Sequence, residues 1–450
     1  MRDIVLALFI AGLLPMIVAR PYLGALAWAW ISMMNPHTLT YGFARGVPWA
    51  MIIAIATLLG FLFTKHKKSL PLNGGTLLIG LLMVWMSVTS LYALNPDTGE
   101  VLDRWVFAFK VLFMLFVTFM LLRGRQQIEW LIWTMVVSVG FYGAKGGLWT
   151  VLTGGGGRVW GPPGGTLAGN NELAIGLIIL LPWMYYLRQV SKNRWSRRAT
   201  TVAMLLVAFG ILGSQSRGAL LAVLAVAVTL GWKSKNFIRT SLALLVVGSA
   251  AIAFMPESWT SRMDTISTYQ ADTSAMSRIW TWHTLFNVAI DRPLVGAGFR
   301  ADNLAVFSAY APFDGYEIVQ GTVYVAHSIY FQALGEHGFV GLGLYLLLGA
   351  WTWFAAGRLA RTTQKEPDLG EWVPLLMRMT QASLVGFAVG GAFLSMMLTD
   401  LTYYIPGVVI LVHATVAEHR KRAAARAVAA PPMSPLEGAR SHVLPGRSSA

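Results

Sequence analysis

"SIYFQALGEHGFVGLGLYLLLGAWTWFAA", residues 328–356, is long and apolar enough to cross a membrane, yet it carries a glutamate and a histidine near one end. A helix of about 20 predominantly apolar residues spans the hydrocarbon core of a bilayer, so the run predicts a transmembrane helix. Titratable side chains placed at or near hydrocarbon are costly and need either a partner or a task. Glu336 and His337, bracketed by Gly335 and Gly338, therefore pose the functional question along with the structural one.

Runs of similar character recur along most of the chain. The other candidate spans are 47–63, 74–93, 105–122, 128–150, 172–187, 199–214, 217–232, 237–255, 374–398 and 402–418. Two shorter apolar halves, 4–18 and 21–34, precede them, divided by Arg20 and the helix-interrupting Pro21. The sum is about a dozen helices, an all-α polytopic integral membrane protein. Composition agrees. Of the 450 residues 56% are hydrophobic and 12% charged, where a soluble domain carries about 25% charge. Cysteine is absent, which excludes disulfides, a thiolate metal site and a cysteine nucleophile. The opening "MRDIVLALFIAGLLPMIVAR" lacks a small-x-small cleavage site and reads as a retained membrane segment.

The formal net charge of +15 is distributed as a topology signal. "KHKK" (65–68), Arg123/Arg125, "RQVSKNRWSRR" (188–198), "KSKNFIR" (233–239), Arg358/Arg361/Lys365 and "HRKR" (419–422) fall on alternate connections. Lysine and arginine gather on the cytoplasmic side of membrane proteins, so these connections belong inside and nothing here points to nucleic acid. The remaining connections, 35–46, 94–104, 151–171, the turn at 215–217, the long segment 256–327 and the turn near Asp400, then lie outside. Long connections in compact proteins are commonly functional, and the tryptophans and tyrosines of 256–327 favour an ordered cap on the membrane surface. The chain divides into a membrane domain, 1–422, and an Ala/Pro/Ser-rich tail, 423–450, of disordered composition.

Chemistry-bearing side chains gather on the outer side. Arg217 stands where a helix begins in "GSQSRGA" (213–219). It either snorkels and caps carbonyls or serves as an anion site, for which the planar guanidinium fork suits phosphate oxygens. Arg278 belongs to "AMSRIWTWHTLFNVAIDRPLVGAGF" (275–299), where apolar residues at 279, 282, 285, 286, 289 and 290 predict an amphipathic surface helix ended by Pro293. Trp280 and Trp282 equally suit an interfacial belt. His337 is either structural or a general base, since imidazole titrates near neutral pH. Glu336 orients it or raises its basicity, although adjacent helix residues point about 100° apart. His327 lies off the face of His337 and reads as a loop residue. Arg158, Lys145, Arg292 and Arg300 are secondary cationic donors. Asp97, Glu100 and Asp103 are the one carboxylate group near the outer surface, and read as loop residues. No H-E-x-x-H, D-x-D pair, P-loop or G-x-S-x-G is present, so neither a metal nor a cofactor is expected.

Taken in order, "SQSRGALLA" (214–222), "SRIWTWHTLFNVAIDRPLVGAGF" (277–299) and "AHSIYFQALGEHGFVGL" (326–342) resemble the signature of the O-antigen ligase family. That family also contains O-antigen polymerases and bacterial protein O-oligosaccharyltransferases. "GRVWGPPGGTLAGNNELA" (157–174) is similar to the family's Gly/Asn segment, and "RPYLGALAWAWISMMNPHTLTYGFA" (20–44) resembles the exosortase-associated O-glycosylation ligase subgroup. The resemblance implies a GT-C-like glycosyltransferase of about twelve helices in the bacterial inner membrane, with amphipathic helices in a large periplasmic loop. It implies glycan transfer from undecaprenyl pyrophosphate to a lipid A–core sugar, without metal or nucleotide. Position by position, it makes Arg217 and Arg278 pyrophosphate ligands and His337 the base. A pyrophosphate leaving group needs cations rather than acid assistance, whereas an acceptor hydroxyl must lose a proton as it attacks. A protein acceptor or polymerase activity would use the same donor site, and a lipid-linked glycan flippase is the reading from a different class.

Overall fold

The computed structural model describes residues 1–64, 69–232, 273–312 and 322–429. Among them the chain forms fourteen α-helices and no strand. These are α1 (Arg2–Ala19), α2 (Tyr22–Met34), α3 (Trp49–Phe63), α4 (Gly74–Ser90), α5 (Thr98–Leu121), α6 (Gly124–Leu152) and α7 (Asn170–Val190). They continue as α8 (Arg194–Gly213), α9 (Arg217–Trp232), α10 (Thr273–Asp291), α11 (Leu304–Tyr310), α12 (Ile329–Thr363), α13 (Trp372–Gly391) and α14 (Asp400–Ala429). Eight of them, α1, α5–α8 and α12–α14, are long and apolar enough to cross a membrane. The protein is thus an all-α polytopic membrane protein. α2, α3, α4 and α9 are apolar but shorter; at ~1.5 Å per residue each covers roughly 20–25 Å.

The expected elements recur with instructive shifts. The two N-terminal halves are separate helices, and α1 alone reaches spanning length. α5 starts seven residues earlier than the expected 105 because Asp97 caps it, accepting from the amides of Gly99 (2.9 Å) and Glu100 (3.1 Å). α13 stops at Gly391, short of the expected 398. The chain then crosses 392–399 as a buried turn held by side chains, with the Met397 amide on Gln332 Oε1 (3.4 Å) and Thr402 Oγ1 on the Met396 carbonyl (2.9 Å). α14 continues to Ala429, past the expected tail boundary at 423. The expected span 237–255, the basic cluster 65–68 and residues 256–272 of the long connection lie outside the described residues.

Helix packing decides where the functional side chains go. Apolar side chains gain little by leaving lipid for protein, so membrane helices associate through close backbone approach and polar links. α6 and α8 use the first means. A Cβ at Gly147 would overlap the Leu206 carbonyl, one at Gly210 the Gly143 carbonyl, and one at Gly213 the Thr150 side chain. α7 is buried on nearly every side and tied to α13 by the second means. Trp183 donates to Thr380 Oγ1 (3.1 Å), and Ser383 Oγ donates to the Ile179 carbonyl (2.6 Å). These contacts bring the α6 end, the α8–α9 turn, the α7 start and the α13 end together at one end of the bundle.

Candidate functional site

The α8–α9 turn is as tight as the sequence suggests, with Gln215 in the left-handed region (φ 56°) and Arg217 opening α9. The glycine-rich segment after α6 is laced onto it. The Val159 amide donates to the Gly213 carbonyl (3.0 Å), Gln215 Nε2 to the Gly155 carbonyl (3.4 Å), and Asn170 Nδ2 to the Ser214 carbonyl (2.8 Å). Arg158 and Arg217 therefore sit side by side. Arg278 joins them from α10, and the three arginines line one cavity of about 100 Å³ with Asn170, Asn171 and Ser216, closed on the α13 side by Phe393 and Leu394. A water-reaching pocket with three guanidinium groups and amide donors suits a multiply charged phosphate ligand.

α10 is seated by its tryptophans. Trp280 Nε1 donates to the Pro312 carbonyl (2.7 Å) and Trp282 Nε1 to the Ala326 carbonyl (2.7 Å), and the Trp282 ring stacks on Phe331 at 5.1 Å. Neither serves as a membrane belt residue; both dock the helix on the segment leading into α12. The buried face of α10 is rotated in part from the expected one. The expected Leu285 and Ala289 are buried, together with Trp280, Thr281, Thr284 and Val288, while Phe286 and Ile290 are exposed. The threonines tolerate burial because each donates to a carbonyl one turn back, Ser277 and Trp280.

The segment after α10 explains the bracketing glycines of "GEHG". Gly338 has φ 67° and breaks α12. The helix's own Gly335–Phe339 hydrogen bond is replaced by two to the loop: the Ala297 amide donates to the Gly335 carbonyl (2.8 Å), and the Phe339 amide to the Pro293 carbonyl (2.8 Å). A Cβ on Gly338 would overlap the Leu294 carbonyl, and one on Gly296 (φ 61°) would meet the backbone of Gly335 and Gly338. Backbone meets backbone here, so the glycines serve packing.

That insertion turns two adjacent residues in different directions. His337 is wholly buried. Its Nδ1 lies 2.7 Å from Thr89 Oγ1, its carbonyl accepts from Trp85 Nε1 (3.0 Å), and Phe299 packs edge-on at 4.8 Å. Its Nε2 has no hydrogen-bond partner, the nearest carboxylate oxygen being that of Glu336 at 3.8 Å. Glu336 instead lines a second cavity, of about 120 Å³, with Gln332, Arg104, Arg300, Asp302 and Ser395. Arg300 reaches Asp302 (3.3 Å) and Glu100 (3.5 Å). Burial pushes the Asp302 carboxyl up from its ordinary value, opposed by the Arg300 charge.

His327 itself lines neither cavity, but its neighbours do. It follows Ala326, which lines the second, and its amide donates to Oγ of Ser395 (2.8 Å), next to Leu394, which lines the first. It is half-buried, holds φ 44°, and its Nδ1 has no hydrogen-bond partner. Burial, and after it the nearby Arg278 charge, hold its imidazole below the usual histidine value.

Of the residues singled out in sequence, Arg158, Arg217 and Arg278 come together, and Glu336 stands in the adjoining cavity. Lys145 is exposed on α6 and lines neither cavity. His337 and His327 also line neither. Arg292 binds the Tyr92 carbonyl (2.8 Å) and so ties the loop to the end of α4. Asp97 is a helix cap, Glu100 pairs with Arg300, and no group of His, Asp and Glu suited to a metal occurs among the described residues. Sequence reading passed over Arg104, Asn170 and Ser395, and took His327 for a loop residue. The only signal for His327 was its place directly before Ser328, whose hydroxyl accepts from the Phe331 amide and caps α12.

This arrangement coincides with what comparison of the sequence finds. Residues 202–346 match the family described as O-Antigen ligase. The matched region contains Arg217, Arg278, His327, Glu336 and His337. Residues 1–192, which supply Arg104 and Arg158, match a family of unknown function (DUF5935). Both cavities are thus built across the two matched regions. No curated protein matches the chain.

Proposed function

We propose that this protein transfers glycan from undecaprenyl pyrophosphate to a lipid A–core sugar on the periplasmic face of the bacterial inner membrane. The observation that carries the proposal is the convergence of Arg158, Arg217 and Arg278, from three separate segments, on one cavity adjoining a second that holds Glu336. In this reading the arginines bind the donor's pyrophosphate, and the acceptor sugar enters the second cavity against Gln332, Glu336 and Arg104. The acceptor oxygen attacks the anomeric carbon opposite the pyrophosphate. The bond from that carbon to the pyrophosphate breaks, the configuration inverts, and the arginines stabilise the charge growing on the departing group.

The acceptor proton goes to His327. His327 follows Ala326 of the second cavity, and burial, then the Arg278 charge, favours its neutral form. The expected base, His337, is the second reading: its ring packs on Thr89 and Phe299, and its Nε2 is without a hydrogen-bond partner, 3.8 Å from Glu336. Glu336 acts as an acceptor-orienting group in the second cavity. No metal or nucleotide enters this scheme.

Purified protein given lipid-linked glycan together with core lipopolysaccharide should yield the joined lipopolysaccharide. Glycosylated protein or lengthened lipid-linked chains in its place would assign a protein O-oligosaccharyltransferase or a polymerase using the same donor site. Translocation of intact lipid-linked glycan that survives replacement of Arg217 and His327 would instead indicate a flippase.

A further inference from the structure

The bundle end opposite the arginine cavity carries a second concentration of cations. There the ends of α1, α3 and α5 and one face of α14 surround a space of about 780 Å³. α14 runs from Asp400, beside the candidate site, to Lys421 at this space, a rise of roughly 30 Å, one hydrocarbon thickness. The space therefore lies at headgroup level on the other membrane surface.

Its lining is of two kinds. Phe61, Met120 and Leu121 are apolar, while Arg20, Arg123, Lys421 and Arg422 are cationic, with Glu418 the one acid among the described lining residues. Glu418 is engaged by Arg422 at 2.6 Å. Arg123 has a structural duty as well, donating to the Phe119 carbonyl (2.6 Å) and to Ser69, and so satisfying the end of α5. Arg20 and Lys421 have no such duty. Both are exposed, and among the described residues neither side chain makes a hydrogen bond or ion pair. Helix-end capping thus accounts for one cation and ion pairing for another, leaving two on the rim of a roomy, apolar-floored cavity.

We propose that this cavity binds an anionic phospholipid, its phosphate against Arg20 and Lys421 and its acyl chains along Phe61, Met120 and Leu121. Basic pockets between transmembrane helices recognise such headgroups, each cation near the surface contributing about 1 kcal/mol. Free phosphate shares the headgroup chemistry but gains nothing from the apolar floor, and this distinguishes the two sources. The inference rests on the membrane-spanning bundle and stands apart from the glycan-transfer reading.

The test is native mass spectrometry of the full-length protein in detergent, titrated with phosphatidylglycerol, with phosphatidylcholine and with inorganic phosphate. Wild type should retain phosphatidylglycerol in preference to phosphatidylcholine, with millimolar phosphate failing to displace it. The Arg20→Gln/Lys421→Gln variant should bind phosphatidylglycerol roughly ten-fold or more weakly, and Arg20→Lys/Lys421→Arg should retain it. Arg217→Gln should leave the adduct in place. Equal retention of both lipids, displacement by phosphate, unchanged binding in the glutamine variant or loss in Arg217→Gln would each overturn the proposal. If the double variant does not fold, Arg20→Gln alone supplies the readout, a two- to five-fold weakening supporting the proposal and no change refuting it.

Discussion

The cavity of Arg158, Arg217 and Arg278 and the enclosure around His337 lie at the same end of the bundle, and both look functional in sequence. They differ in what their polar groups face. The arginines converge on open space from three segments. The His337 ring meets Thr89 and Phe299 and lines neither cavity. Through its bond to Thr89 and the indole of Trp85 on its carbonyl, His337 joins α4 to α12.

If that contrast is right, the largest loss should come from His327→Ala, a fall in turnover of ~10²–10⁴-fold with donor binding and folding retained. Single-turnover rates on purified protein measure this directly. The pH profile gives a second view of the same residue. The base works when neutral, and burial with Arg278 holds it below its ordinary 6.5, so activity should persist as pH falls through 6.5 and decline only below it. An acid limb at or above 6.5 would remove His327 from the role.

Arg217→Lys should come next, with kcat/KM for the lipid-linked donor lowered ~10–100-fold, because an ammonium does not reproduce a bidentate fork. Arg278→Lys should behave alike, and unchanged donor kinetics in both would break the cavity assignment. His337→Ala should act on the other side of the comparison. It should lower stability by about 1–3 kcal/mol through the lost Thr89 contact and the vacated space, read as a drop in thermal midpoint, while turnover at a permissive temperature changes only a few-fold. Loss of turnover comparable to His327→Ala, without loss of stability, would reverse the two roles. The smallest effect is expected for Lys145→Ala, whose donor KM should match wild type because the exposed side chain lies off both cavities.

Much of the fold was legible because span length and apolar content are properties of single segments. The arginines were legible for a related reason: each sits at a turn or on a short amphipathic helix that sequence marks plainly. The setting of His327 was not, since its amide reaches Ser395 in the turn at 392–399, itself hidden inside an apolar run. The glycines beside His337 suited close approach of a substrate or of a neighbouring segment, and the structure shows that Gly338 admits the backbone of Pro293 and Leu294 while Gly335 admits the Leu285 side chain. The rotation of α10 was likewise invisible, because burial of Thr281 and Thr284 depends on carbonyls they reach only in the helix.

The most direct test is a structure of the protein with a lipid-linked pyrophosphate bound. The account predicts phosphate density between Arg217 and Arg278, Arg158 at its edge, with the pyrophosphate-bearing sugar carbon turned toward His327 and the cavity of Glu336. Phosphate density elsewhere, with the three arginines turned to other partners, would contradict it.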